Sequence, residues 1–414
     1  MPNDTTPDPK VDGKSAMKAA TGRGTLLGAI FLMATSSIGP GFITQTTSFT
    51  VQLGAAFAFA ILISILVDIA IQTNVWRVIG VSGMRAQELG NATLPGLGYL
   101  MAFLLLVGGL VFNIGNISGA GLGMNIMTDM NVRLGAILLS ALAVGIFLSK
   151  RAGVAMDRIV VFLGAVMILL TLYVAITSGP PVASALKNSV LPEEISALAI
   201  TTLIGGTIGG YIIYAGVHRL LDAGVSGPGH LRQLTQGVVT GIIVTGVMRV
   251  ILFLAILGVV SAGHALDPDR QAASAFEAAA GAVGYRLFGV VFAAAALTSV
   301  IGVSYPTVTF LTSRTRTKPR VTNFMVIGFI VVSLILYLSI GAAPAQLLVF
   351  AGAFNGILLP VGIGVMLWVA WMRRDLLQGY VYPKWLAGIG TVAWLVTIYL
   401  AFNSIRPAIE LITG

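Results

Sequence analysis

The 414-residue sequence has no cysteine and little charge, with only 9% of its residues Asp, Glu, Lys or Arg. Without thiols, disulfides, thiolate metal sites and cysteine nucleophiles are excluded. The scarcity of charge excludes more. A soluble domain carries about 25% charged residues. A chain that is 57% hydrophobic, with a mean hydropathy of +0.95, cannot cover several packed cores with a solvated surface. Disorder fails on the same figures, because disordered chains combine low hydrophobicity with high charge. No His-Glu-x-x-His, Gly-x-Ser-x-Gly or Walker loop occurs, so hydrolytic chemistry and ATP hydrolysis have no signature here. The chain is expected to be neither an enzyme nor a cofactor carrier. What remains is an all-α polytopic membrane protein.

Eleven apolar segments of about spanning length follow a polar, proline-bearing start. They run near residues 25–52, 55–79, 99–126, 132–149, 158–177, 196–221, 235–262, 283–311, 322–340, 345–372 and 385–404. No signal peptide is expected ahead of the first, which is too long for one. The net charge of +9 does not indicate nucleic acid, because the basic residues sit between the apolar runs. With the N-terminus inside, 18 of the 24 lysines and arginines fall on the cytoplasmic side, among them Arg77, Arg85, Arg232, Arg373 and Lys384. Five fall outside (Arg133, Lys187, Arg270, Arg286, Arg406) and Arg249 lies within a span. That bias places the N-terminus in the cytoplasm and, after eleven crossings, the C-terminus outside. Short loops and the lack of cysteine suit a bacterial cytoplasmic membrane. His218, His230 and His264 fall in or near predicted loops and read as solvated.

Two spans carry helix-breaking residues at mid-depth. The first contains Ser37-Ile38-Gly39-Pro40-Gly41, the sixth Gly205-Gly206-Thr207-Ile208-Gly209-Gly210. Proline lacks the amide proton and glycine is a poor helix former. Unwound backbone at membrane depth is tolerated where it lines a cavity or packs against protein. The plainer reading of the sixth-span glycines is close packing, since Gly205/Gly209 and Gly206/Gly210 each form a G-x-x-x-G. Two breaks five spans apart point instead to an inverted repeat, the pattern of a secondary transporter with its site between the breaks. This divides the chain into a cytoplasmic tail (1–24), a first repeat (25–177), an extracytoplasmic loop (178–195), a second repeat (196–372), and a cytoplasmic loop with an eleventh helix (373–414).

Several segments resemble the NRAMP divalent-metal transporters, which have the LeuT-type fold. Gly39-Pro40-Gly41-Phe42 stands where that family has Asp-Pro-Gly-Asn. Gly119-Ala120-Gly121-Leu122-Gly123-Met124-Asn125 is similar to its small-residue run in the third span. Asp157-Arg158-Ile159-Val160 and the stretch from Ala278 to Phe292 also fit, and Thr207 to Tyr214 matches its Met-Pro-His-containing segment. The resemblance covers roughly residues 25–372 and implies a 5+5 inverted repeat with helices 1 and 6 broken. It also implies a departure in chemistry. The family's metal-binding aspartate falls on Gly39, its asparagine on Phe42, its methionine on Gly209 and its histidine on Tyr211. The acidic residues of its third helix fall on Asn113 and Asn116.

Divalent cations need carboxylate, carbonyl, imidazole or thioether ligands, and no compensating carboxylate appears near either break. The polar inventory there suits a small organic solute held by hydrogen bonds. The candidate substrate-binding residues are Ser37, Gly39, Gly41, Phe42, Thr44, Gly206, Gly209, Tyr211, Tyr214, Asn113 and Asn116, with no metal ligands. The second half-helices offer amide protons and positive dipole ends to a carboxylate. The first halves end in carbonyls that suit sodium. Asp68 and Arg249 lie near the midplane of their spans, where a lone charge is costly. They are expected to interact, directly or through water, as a structural ion pair or as a coupling pair. Three readings stay open: a transporter of a small polar or anionic solute, coupled to sodium or protons; a manganese, iron or magnesium transporter with a non-standard site; and a receptor that transports nothing. The partners implied are a small-molecule substrate and the lipid bilayer, without nucleic acid.

Overall fold

Backbone surrounded by lipid must satisfy its own amides and carbonyls, which for runs like these leaves the α-helix. The computed structural model describes residues 39–222, 224–311 and 319–413, and every regular element in them is helical. In chain order these are α1 (Pro40–Leu53), α2 (Phe57–Ser82), α3 (Ala86–Thr93), α4 (Leu97–Thr128), α5 (Val132–Leu148), α6 (Lys150–Thr177) and α7 (Val182–Val190). Then come α8 (Ala197–Ile208), α9 (Ile212–Asp222), α10 (Leu231–Ser261), α11 (Gln271–Leu311), α12 (Pro319–Ile340), α13 (Pro344–Met372) and α14 (Lys384–Thr413).

Among the described residues, eight helical stretches are long and apolar enough to cross a membrane, or nine if the bent pair Phe162–Thr177 and Val182–Val190 is one span. Apolar segments read from the sequence at 99–126, 196–221, 235–262, 283–311, 322–340, 345–372 and 385–404 each match one stretch, to within one residue at 196 and 262. The first two merge into one, Pro40–Ser82, through a 3-10 turn at Gly54–Ala56. The segment at 132–149 becomes the 17-residue α5, and 158–177 lies within α6. The first segment's opening residues, including Ser37, lie outside the described residues.

Two short helices have no counterpart in the hydropathy reading. α3 and α7 are amphipathic rather than apolar, and α7 occupies what reads as the loop 178–195. α11 begins before its apolar segment, as a leading helical stretch that meets the span at a kink where Gly281 takes φ 65°, ψ −166°. That backbone conformation is open essentially to glycine alone.

α4 runs along α11 over an extensive interface, and α8 lies against α13. Glycine sets the second contact. A Cβ on Gly205 would strike the Gly352 carbonyl, and one on Gly356 would strike the Thr201 carbonyl. The small-residue reading of Gly205 is therefore correct, with α13 as its partner. Around the outside, Phe402, Tyr99, Phe324 and Ile176 are each more than 70% exposed, as side chains facing lipid would be. Arg286 fastens α11 to the end of α4, with Nη1 donating to the Ile126 carbonyl (2.8 Å) and Nη2 paired with Asp129 (2.6 Å).

Replacing Gly356 with Ala should force α8 and α13 apart at a cost of about 1–3 kcal/mol. Gly145→Ala, where open space surrounds the position, should leave stability level or slightly raised. Melting of the two detergent-purified variants checks this; equal melting temperatures would remove the packing role.

Candidate functional site

α1 starts at Pro40, whose missing amide proton costs nothing at a helix's first position. Gly39 precedes it in extended conformation (φ −112°, ψ −172°). α8 stops at Ile208; Gly209 is extended and Gly210 takes φ 58°, so the chain turns and restarts as α9. A Cβ on Gly209 would hit the Gly205 carbonyl, and one on Gly210 would sit 2.6 Å from Asn355 Oδ1. Only glycine at both positions lets this turn form so close to α13.

The two helix starts line one cleft that is open on one side. Gly39, Gly41, Phe42 and Gln45 line it from α1, Gly206 from α8, and Tyr211 and Ile212 from the restart. Asn116 comes from α4, Ser299 from α11, and Leu348 and Ala351 from α13. The opening amides of a helix have no partner within it and carry the positive end of its dipole. The cleft therefore receives two such ends and, among the described residues, no carboxylate. Among the described residues, no three His, Cys, Asp or Glu side chains are gathered as a metal would need.

Gln45 is fully buried in a notch made by glycines. Its Nε2 donates to the Leu348 carbonyl (3.0 Å), while Oε1 is buried without a partner. A Cβ on Gly206 would fall on Oε1 and one on Gly352 on Nε2. A single carboxamide in one apolar-flanked span gave no reason to rank it above Thr44 or Thr46, and its radial direction depends on α8 and α13.

Arg249 of α10 backs the cleft, 2% exposed. Its guanidinium carbon lies 4.4 Å from the centre of the Phe42 ring, a cation–π contact. Nη1 donates to Thr207 Oγ1 (3.0 Å), whereas Nε and Nη2 are buried without partners. Asp68 of α2 is 1% exposed, and its Oδ1 also has none. No hydrogen bond or ion pair joins the two side chains directly.

Of the residues singled out from sequence, Gly39, Gly41, Phe42, Gly206, Tyr211 and Asn116 meet at this cleft, and Gly209 shapes the turn beside it. Thr44 faces a different cleft, with Thr47, Ser48 and Gln271. Tyr214 faces a third, beside Gly210 and Asn355. Asn113 turns away and donates to Ser304 Oγ (3.3 Å) and Ser333 Oγ (3.1 Å), joining α4 to α11 and α12. His218 corrects the solvated reading. It is buried, stacked against Tyr214 (5.9 Å) and Phe310 (5.1 Å), and accepts the Ala86 amide at Nε2 (3.4 Å). Its i, i+4 spacing from Tyr214 on α9 was the available signal.

Comparison with known proteins agrees with this architecture. Residues 30–406 match the Nramp family, described as Natural resistance-associated macrophage protein-like. A Bacillus subtilis membrane protein, YcsG, is 50% identical over 383 residues, covering 92% of this chain and 94% of the relative. A Haemophilus influenzae membrane protein is 47% identical over 392 residues, covering 95% and 98%. A manganese transporter from Eremococcus coleocola superposes with a TM-score of 0.72 at 16% identity, over 98% of this chain and 89% of that one. MhsT in complex with L-phenylalanine gives 0.64 at 16%, over 93% and 99%. The last two share the LeuT-like fold. The chain belongs to the Nramp family of membrane transporters.

Proposed function

We propose that this chain is a secondary transporter of a small polar or anionic organic solute, held between the starts of α1 and α9. It would move the solute by alternating access of two inverted five-helix repeats, whose first and sixth spans are broken at Gly39 and Gly209. In this reading the N-terminus is cytoplasmic, eleven spans cross a bacterial cytoplasmic membrane, and the solute travels with a coupling ion.

One observation carries the reading: two guanidinium donors of Arg249 are buried beside Phe42, a cleft residue, with nothing to receive them. An unpaired charge out of water is costly, and a carboxylate reaching those donors would offset that cost. Two helix starts add to the same sign of potential. A divalent cation would meet that potential without an acidic ligand in the cleft. Gln45 Oε1, Asn116 and the Tyr211 hydroxyl supply orientation for the rest of the molecule.

Thermal unfolding of the purified protein against manganese, magnesium, lactate, succinate, glutamate and benzoate tests the reading. A ligand specific for the folded state adds about 2.7 kcal/mol at a hundred times its Kd. One or more of the carboxylates should raise the melting temperature saturably. Saturable stabilisation by manganese alone would replace this function with metal transport.

Gly206→Ala places a methyl group where Gln45 Oε1 lies, and Arg249→Met removes the donors. Each should abolish the carboxylate response, read as loss of the melting shift with a folded, monodisperse protein retained. A full response in both variants would move the site elsewhere.

A further inference from the structure

α2 and α10 pack in antiparallel register. A Cβ on Gly80 would meet Leu234, Arg77 Nη2 donates to Thr235 Oγ1 (3.1 Å), and a Cβ on Gly246 would lie 2.7 Å from Ile65 Cδ1. Continuing this register puts Asp68 beside residues 243–246, about one helical turn from the level of Arg249. A guanidinium on a long, flexible stem spans such a gap by a rotamer change. Between the two residues no direct contact exists, yet both keep unpartnered buried atoms: Oδ1 on Asp68, Nε and Nη2 on Arg249. Gln72 lies one turn along α2 on the same face as Asp68, fully buried, with both amide atoms unpartnered. Buried polar atoms in such a row are satisfied by ordered water or by a change of partner.

We propose that Asp68 is the proton-binding group that couples transport, and that its carboxylate and the solute's carboxylate alternate as the anion held by Arg249. The proposal rests on the carboxylate reading of the cleft and adds the coupling ion to it.

Charge counting requires the alternation. With the cleft empty, ionised Asp68 balances Arg249 and the buried pair is neutral. When a solute carboxylate takes Nε and Nη2, two buried anions would share one cation, which low dielectric strongly disfavours. A proton from water on the entry side forms an O–H bond at the Asp68 carboxylate and restores neutrality. After the solute leaves on the other side, Arg249 returns to Asp68, that O–H bond breaks, and the proton passes to water along the Gln72 face. One proton therefore crosses with each carboxylate, and no net charge moves.

Among the described residues, the charged and titratable groups on the elements packed against α2, His230 just before α10 included, lie away from this depth. α1, α8 and α13 carry no charged residue, and α10 has only Arg232 besides Arg249. Arg232, Arg77 of α2 itself, and His218 and Asp222 of α9 lie toward one end of α2. Lys187 of α7 lies toward the other. On α14, Lys384, Arg406 and Glu410 lie near the helix ends, and Tyr399 is exposed.

The test uses the full chain in sealed proteoliposomes, alkaline inside by about one pH unit, with labelled lactate, succinate, glutamate and benzoate. Such a gradient sustains about tenfold accumulation in a one-proton, electroneutral symport of a monocarboxylate. Wild type should accumulate at least one of these probes faster than protein-free liposomes, into which benzoic and lactic acids diffuse unaided, without sodium and unaffected by a potassium–valinomycin potential; uptake no faster than in protein-free liposomes counts as failure of that probe. Asp68→Asn should lose the accumulation and retain only slower counterflow of the same probe; Asp68→Glu, which keeps the carboxyl, should recover it. Accumulation by Asp68→Asn equal to wild type overturns the coupling while leaving the carboxylate site standing. Failure of every probe to bind or move in wild type overturns the carboxylate site and the coupling with it. A probe-free arm guards against a misfolded variant. The infrared difference between acidic and alkaline wild-type samples should contain a carboxylic C=O band that Asp68→Asn lacks; identical spectra overturn the proposal.

Discussion

A polar group at membrane depth must find its partner inside the protein, and the architecture around the cleft follows from where that requirement goes unmet. Most buried hydroxyls in these helices bond to a carbonyl one turn back, as Thr46, Thr47, Thr50 and Thr245 do. Such residues need nothing from the rest of the fold. Gln45, Asp68, Gln72, Thr202 and Arg249 each retain at least one buried polar atom without a partner. All five lie on α1, α2, α8 or α10, the helices that frame the break. Others lie elsewhere, Asn113 on α4, Ser140 on α5 and Thr307 on α11 among them, so what sets the group at the break apart is that it holds a buried acid, Asp68, and a buried base, Arg249.

Glycine makes this grouping possible through two distinct steric tasks. Gly205, Gly352 and Gly356 let α8 and α13 approach until backbone meets backbone. Gly206, about 100° further round α8, leaves room for the Gln45 carboxamide at the cleft. Adjacent glycines thus carry out two steric tasks, close packing and accommodation of a buried side chain. Enlarging either residue should therefore produce separable defects, in stability for one and in solute response for the other.

The spans were legible because hydropathy over about 20 residues is a property of the segment alone. α3 and α7 were not, because an amphipathic helix at a membrane boundary resembles a polar loop until its apolar face has something to cover. The cleft was half legible. Gly39, Gly41, Gly206 and Tyr211 announce themselves through local backbone chemistry, and the breaks place them at one depth. Gln45 and Ser299 required the rotational setting of α1 and α11, which neighbouring helices decide. Asn113 and Asn116 show the same limit: three residues apart on α4, one ends in a network with Ser304 and Ser333 and the other at the cleft. Their chemistry is identical, and only tertiary packing separates them. His218 was legible only in part: Tyr214 one turn back on α9 was the local signal, while Phe310 of α11 and the Ala86 amide, which complete its burial, come from other segments.

The direction of a broken helix fixes the sign of potential at the break before any side chain is chosen. Helix starts present amide protons, so a cation bound beside them must be held by added carboxylates or by carbonyls from the preceding half. In this chain the break carries Gly39-Pro40-Gly41-Phe42, and Arg249 lies over the Phe42 ring. Arg249 behind the break, and the lack of a carboxylate among the described lining residues, act in the same sense as the two helix starts. Under our proposal the anion brings with it the need for Asp68, because a cleft that admits negative charge beside one buried arginine needs a second, titratable anion to keep that arginine neutralised when the cleft is empty.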